Sequence, residues 1–332
     1  MFFQQFESGK KTILIVYVDD IILIGDDTVE MERLKKVLAS EFEVKDLRQM
    51  RYFLGMEVAR SAKGISVSQR KYILDLLTET GMLGCKPSET PIEVVKRVED
   101  CGIPVKKERY QRLVGKLIYR LHTRPDITFA VSVVSQHMHS PKKTHLDAVY
   151  KILRYFKGSP GKRLFFKKCE SKEVEIFTDA DWAGSTEDRR STTRYCTFVW
   201  ENLVTWRSKK QNVVAQSCVE AEFRAVAQGI CEGLWLLKLL EELQIPVKFP
   251  IKLYCDNKAI ISISLNPVQD DRTKHVEVDQ HFIKEKVEEG TIYLTYVPTK
   301  EQTADIFIKG LAHQSFDDFI CKLDMINIYD PT

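Results

Sequence analysis

The sequence predicts an α/β (α+β) fold, and three observations predict it. Short apolar runs rich in β-branched residues, such as "ILIVYVDDIILIG" and "VEIFTDADWAG", read as strands, while between them apolar residues recur at helical spacing. The second half of the chain orders its elements as three strands, helix, strand, helix, strand, helix. At 332 residues, with 44% hydrophobic and 29% charged, the chain is long and apolar enough to bury a core in two or three domains.

The first element is a hairpin over Ile13–Gly25, with Asp19 and Asp20 in the middle of an apolar run. Burying one unpaired carboxylate costs several kcal/mol, roughly, and a membrane helix needs about 20 apolar residues with few charges. Two strands reversing at Asp-Asp satisfy both constraints. Two adjacent carboxylates at a sheet edge invite a divalent cation with oxygen ligands, Mg²⁺ being the usual one; a solvated turn is the alternative.

Asp27 and Glu30 then form a capping box, and Leu34, Val37, Leu38 and Phe42 mark a helix. "RYFLGMEV" and "GISVSQ" read as strands, and "RKYILDLLTETGM" as a helix ending at Gly81. The proline-rich, charged segment from Cys85 to about residue 109 reads as a linker. "YQRLVGKLIYRLHTRPDITFAVSVVSQHM" and "THLDAVYKILRYFKG" read as amphipathic helices broken at Pro125 and Pro141, and "GSPGKRLFFKK" as a boundary.

The last region carries the chemistry. Strands "VEIFTDADWAG", "RYCTFVW" and "LVTWRSKK", the last two joined at Glu201 and Asn202, precede a long helix whose Ser217 and Glu220 make a capping box. Glu222 shares a face with Val226 and Gly229, and a carboxylate on an apolar face needs a reason. Strand "IKLYCDN" ends in Asp256, and "TIYLTYV" leads into a helix start containing Asp305. Four carboxylates, Asp179, Glu222, Asp256 and Asp305, thus lie at element ends that can converge on one sheet edge. Singly each is more often a cap or a turn residue. Together they match what two Mg²⁺ ions need to cleave a phosphodiester.

Other features exclude function classes. The eight cysteines include no CxxC pair, so neither a zinc ribbon nor a disulfide framework is indicated, and a reducing, intracellular setting is expected. The first residues lack a basic segment followed by an apolar one, which argues against a secretory signal. A net charge of +3 decides nothing about nucleic acid. His137, His139 and His145 match no zinc spacing and read as surface and capping residues, and His275 and His281 as non-ligands.

The motifs carry a specific resemblance. "YVDD" between strands is similar to the polymerase signature of reverse transcriptases, and "TDADWAG", "VEAEF", "YCDN" and "QTADI" are similar to the four acidic motifs of RNase H. With "YFLGMEV", "LHTRPDITFAVS", "WRSKKQ", "RTKH" and "HFIKEKV", nearly the whole chain resembles the C-terminal part of copia-class LTR retrotransposon Pol polyproteins. The resemblance implies a reverse-transcriptase palm remnant over 1–84, a linker over 85–109, a helical thumb or connection over 110–165, and an RNase H-like domain with a mixed five-stranded sheet over 166–332. It implies metal-binding, catalytic roles for Asp179, Glu222, Asp256 and Asp305, with two Mg²⁺ or Mn²⁺ ions, and makes Asp19 and Asp20 the polymerase pair. Integrases place their glutamate last among the acids; here Glu222 comes second, which favours RNA cleavage over strand transfer.

The same resemblance implies an RNA/DNA hybrid as substrate, a full-length reverse transcriptase as partner, no membrane, and a cytoplasmic (virus-like particle) or nuclear location. The family's further polymerase aspartate is not found upstream of "YVDD", so DNA synthesis by this chain alone is not expected. Departures from the family pattern are Arg194 in "STTRYC", expected to strain a turn with positive φ, Trp200 and Glu201 in "VWENLV", and Asp270 where a histidine is common. Arg189, Arg190, Arg207, Lys209 and Lys210 are candidate phosphate contacts, with a solvated basic surface as the alternative. Two readings stay open: a hybrid-cleaving ribonuclease H, and a catalytically silent remnant that at most binds nucleic acid.

Overall fold

The computed structural model describes residues 2–5, 10–93, 102–185, 188–265, 277–307 and 309–328. The fold is mixed α/β, and the chain divides into two compact units, Met1–Arg51 with Leu236–Pro246, and Tyr52–Trp235 with Val247–Thr332.

In the first unit, β1 (Phe2–Gln5), β2 (Lys11–Tyr17) and β3 (Asp20–Gly25) form an antiparallel sheet in that order. Tyr17 pairs with Asp20, leaving Val18 and Asp19 as a two-residue turn. Val18 holds φ at 51°, an uncomfortable value for a β-branched residue. Helix α1 (Thr28–Glu41) starts where the Asp27 carboxylate accepts the Glu30 N–H at 3.1 Å. The other half of the expected capping box is not made, because Glu30 turns to Arg33 at 2.6 Å. The apolar stripe of α1 is thinly covered: Leu34 and Leu38 are half-buried, Val37 and Phe42 exposed. Lys11 Nζ donates to the carbonyls of Leu243 (3.2 Å) and Gln244 (2.6 Å).

The second unit begins with β4 (Tyr52–Phe53), β5 (Met56–Ser61), β6 (Gly64–Ser68) and helix α2 (Arg70–Glu79). Gly81, at φ 68°, closes that helix as expected: its N–H reaches the Thr78 carbonyl and the Met82 N–H the Leu77 carbonyl at 2.8 Å. Helices α3 (Lys107–Arg120), α4 (Thr128–Ser135) and α5 (Lys143–Gly158) follow, with Pro125 opening a short 3-10 turn between the first two. Residues Lys162–Lys167, read from sequence as a boundary, form strand β7 instead.

Next come β8 (Val174–Asp181), β9 (Thr192–Val199), β10 (Asn202–Lys210), helix α6 (Cys218–Glu242, its residues from Leu236 onward counted with the first unit), β11 (Ile251–Cys255), helices α7 (Lys258–Leu265) and α8 (Glu277–Glu288), and β12 (Ile292–Tyr296). Helix α9 (His313–Lys322) and β13 (Met325–Asn327) close the unit. One sheet has the order β10-β9-β8-β11-β12, antiparallel among the first three strands and parallel from β8 to β11 to β12. It is the mixed five-stranded sheet the resemblance implies. The other, β13-β7-β6-β5-β4, draws strands from residues 52–68, 162–167 and 325–327, hence from three of the four expected domains.

A continuous core joins the helices to the first sheet: Leu117, Val131, Ile152 and Phe156 cluster with Cys196, Phe198 and Leu203. Within it, Arg124 and Asp126 of "TRPDI" form a buried ion pair at 2.7 Å, completed by the Tyr155 hydroxyl on Asp126 (2.6 Å) and by Ser159, whose carbonyl and hydroxyl each accept from the guanidinium. This motif is therefore structural.

Three local expectations are corrected. The β9–β10 turn is Trp200–Glu201, both at positive φ (54° and 62°), one residue earlier than read. Arg194 lies inside β9 and not at a strained turn. His145 does cap α5, its Nδ1 accepting the Lys142 N–H, but it is buried and stacked on His137 at 3.7 Å rather than at the surface. His281 is exposed and faces Glu277 at 3.8 Å; His275, Asp270 and "RTKH" lie outside the described residues.

Candidate active site

Strand β8 sits in the middle of its sheet, and side chains on both of its faces are buried: Ile176 and Thr178 on one face are at 0% exposure, and Asp179 on the other at 8%. Helix α6 crosses this strand at unusually short range. A Cβ at Gly229 would meet Thr178 Cγ2 at 2.4 Å, and one at Gly233 would meet Ile176 Cδ1 at 2.5 Å. Two glycines four apart on the face carrying Glu222 thus let the helix settle onto β8 and bring that carboxylate to the strand's end. The helix start is fixed by Ser217 Oγ accepting the Glu220 N–H at 3.1 Å, while Glu220 reaches one residue further back than expected, to the Gln216 N–H at 2.6 Å.

Asp256 follows β11, the parallel neighbour of β8, and therefore arrives beside Asp179. Oxygens of Asp179, Glu222 and Asp256 all lie within 4.8 Å of one another. The Ala180 N–H donates to Asp179 Oδ1 (2.7 Å) and Glu222 Oε1 (3.3 Å), and Thr299 Oγ1 donates to Asp256 Oδ2 (2.9 Å). Glu222 Oε2 is buried with no hydrogen-bond partner among the described residues. Asp305 is outside this trio. It sits, buried, in a 3-10 turn (Thr303–Phe307) where a helix start was expected, and faces Lys309 at 2.8 Å.

Burial, and then the charge of Asp256, push the Asp179 carboxyl up to about 7; Arg194 pulls the other way and Asp305 adds to the rise. Burial likewise holds Glu222 well above the usual carboxylate range, with Asp179 and Asp256 contributing. Carboxyls crowded so closely repel one another and favour their protonated forms. An all-oxygen donor set with an orphaned carboxylate oxygen fits a hard divalent cation: Asp179, Glu222 and Asp256 would hold it, Asp305 standing nearby.

The other sequence candidates are placed as follows. Asp19 and Asp20 are both exposed at the tip of the β2–β3 hairpin. Arg190 and Lys210 are tied to Asp188 at 2.6 and 3.0 Å, whereas Arg189, Arg207 and Lys209 are exposed, the last two on one side of β10. Thr299, Lys309 and the role of Arg194 were not legible in the sequence. Their positions depend on strand register and loop paths, and the ten residues between β8 and β9 hide the pairing of Arg194 with Asp179.

Comparison with known proteins identifies the family. The model of the reverse transcriptase (RNA-dependent DNA polymerase) family matches residues 1–94. The chain is 39% identical over 326 residues to the retrovirus-related Pol polyprotein from transposon RE2 of Arabidopsis thaliana, covering 97% of this chain and 22% of that protein. Against the retrovirus-related Pol polyprotein from transposon TNT 1-94 of Nicotiana tabacum it is 35% identical over 334 residues, covering 97% and 25%. Among solved structures it is similar to the foamy viral protease-reverse transcriptase in complex with RNA/DNA hybrid, at TM-score 0.47 and 14% identity over 86% of this chain and 36% of that one. The chain spans a quarter or less of the length of these curated relatives, but matches them along nearly its whole extent. It belongs to the copia-type family of retrotransposon Pol polyproteins.

Proposed function

We propose that the chain is a ribonuclease H, cutting the RNA strand of an RNA/DNA hybrid. The observation that carries this reading is the convergence of Asp179, Glu222 and Asp256 from β8, α6 and β11 to within 4.8 Å, with one Glu222 oxygen left without a partner. Asp179, Glu222 and Asp256 would hold Mg²⁺, and a pair of such ions would supply water activation and charge stabilisation for phosphodiester cleavage. The protein's own part is to hold the carboxylates. The Ala180 N–H fixes the Asp179 and Glu222 head groups relative to each other, and Thr299 orients Asp256. Exposed Arg207 and Lys209 offer phosphate contacts beside the sheet. RNA is distinguished from DNA by contacts to its 2′-hydroxyls.

Purified full chain is incubated with Mg²⁺ and a hybrid labelled on either strand. RNA cleavage that leaves DNA intact and is lost in Asp179→Asn is the expected result. Hybrid binding without cleavage at any Mg²⁺ concentration would make the chain a silent remnant.

A further inference from the structure

Two arginines of the second unit are fully buried beside carboxylates, and they are satisfied differently. Arg124 has the arrangement that makes a buried guanidinium tolerable: Nε and Nη2 both donate to Asp126, and Nη1 and Nη2 also donate to Ser159. Arg194 has no such partner. Its Nη2 stands 3.6 Å from Asp181 Oδ2, its Nε reaches Ser208 Oγ at 3.4 Å, and its Nη1 has no hydrogen-bond partner among the described residues, although only 2% of the residue is exposed.

Register explains what balances its charge. Arg194 of β9 is the direct cross-strand partner of Asp179 of β8, so both side chains leave the same face of the sheet. The guanidinium therefore sits in the field of Asp181, Asp179 and Asp305 together, which offset the burial that drives its pKa down to about 10. The carboxylate site thus already contains a monovalent cation that cannot diffuse away.

We propose that Arg194 is a resident counter-cation of the carboxylate site, one that holds the acids together in the metal-free protein and competes with divalent metal for them. The inference rests on the metal-site reading above. A fixed positive charge beside a divalent ion in a poorly solvated pocket opposes binding, and bulk salt screens it little. Removing the charge should therefore tighten metal binding, the opposite of what losing a merely structural side chain would do.

The test is calorimetric titration of the full chain with Mn²⁺ at neutral pH, comparing the parent, Arg194→Gln, Arg194→Met and Arg194→Lys, with Asp179→Asn marking heat that comes from this site. The expected result is at least about tenfold tighter binding in the Gln and Met variants and an affinity within about threefold of the parent in the Lys variant, which keeps the charge. In chelator, the neutral variants should melt below the parent and the Lys variant near it, and Mn²⁺ should close the gap. Equal or weaker binding by a folded Gln or Met variant overturns the proposal and leaves the metal site standing. If neither neutral variant folds, the parent decides: a Kd for Mn²⁺ below about 10 μM shows no resident competitor. No binding by the parent or any variant overturns this proposal and the metal-site reading together.

Discussion

The two acidic constellations of this chain solve the same electrostatic problem in opposite ways. At the tip of the β2–β3 hairpin, Asp19 and Asp20 sit side by side, both exposed to water. At the end of β8, Asp179 and Glu222 are each 8% exposed and share the pocket with Asp256, so their charges are felt by the fold itself. Adjacent acids in a sequence are therefore no measure of electrostatic tension. Acids far apart in sequence and brought under one helix are, and tension of this kind is where divalent-metal chemistry is built.

The largest effect that would sharpen the contrast comes from neutralising one acid in each place. Asp179→Asn should abolish RNA cutting, since it removes a charged ligand, and in chelator at pH 7.5 it should raise the thermal midpoint by relieving a buried charge. The double change Asp19→Asn, Asp20→Asn should alter folding free energy by less than about 0.5 kcal/mol in urea titration. An equal stability shift in both would break the comparison.

Gly229→Ala probes how the tension is assembled. Its Cβ would meet Thr178 Cγ2 at 2.4 Å, so either that side chain or α6 must shift, and a lift of α6 carries Glu222 away from Asp179. Overpacking of this kind costs about 1–3 kcal/mol, and metal affinity should fall with it. A stable variant with parental Mn²⁺ affinity would show that the helix can shift without disturbing the site.

The pH dependence follows from the raised carboxyls. With Asp179 lifted to about 7 and Glu222 raised as well, the folded, metal-free protein binds more protons than the unfolded chain between about pH 4 and 7. This contribution to stability is therefore present at acid pH and is lost as pH rises through that window. The thermal midpoint in chelator should drop from pH 5 to pH 7.5, and Asp179→Asn should flatten the slope. The smallest effect is expected at the surface: Arg207→Ala with Lys209→Ala should weaken hybrid binding and lower the salt slope by about two, without changing the strand that is cut.

What was legible in the sequence were features that depend on neighbours in the chain. The hairpin, the Asp27 and Ser217 caps, the Gly81 helix stop and the order of strands and acids all follow from local pattern. What was not legible depends on pairing across distance. Arg194 looked like a misplaced bulky residue at a turn until strand register set it opposite Asp179. His145 looked solvated until its stacking on His137 was seen, and β7 looked like a boundary because its partners lie about a hundred residues upstream and about 160 downstream.

The second sheet has a consequence for how the protein is made. Strand β7 is hydrogen-bonded on one side to β6 and on the other to β13, the last strand of the described chain. While the ribosome is still adding the intervening residues, β7 presents an open edge, Lys162–Lys167, whose outer backbone groups have no strand to pair with. The basic residues Lys162, Arg163 and Lys167 at its two ends discourage a second nascent chain from docking there, and β13 seals the edge only after about 160 further residues have been added.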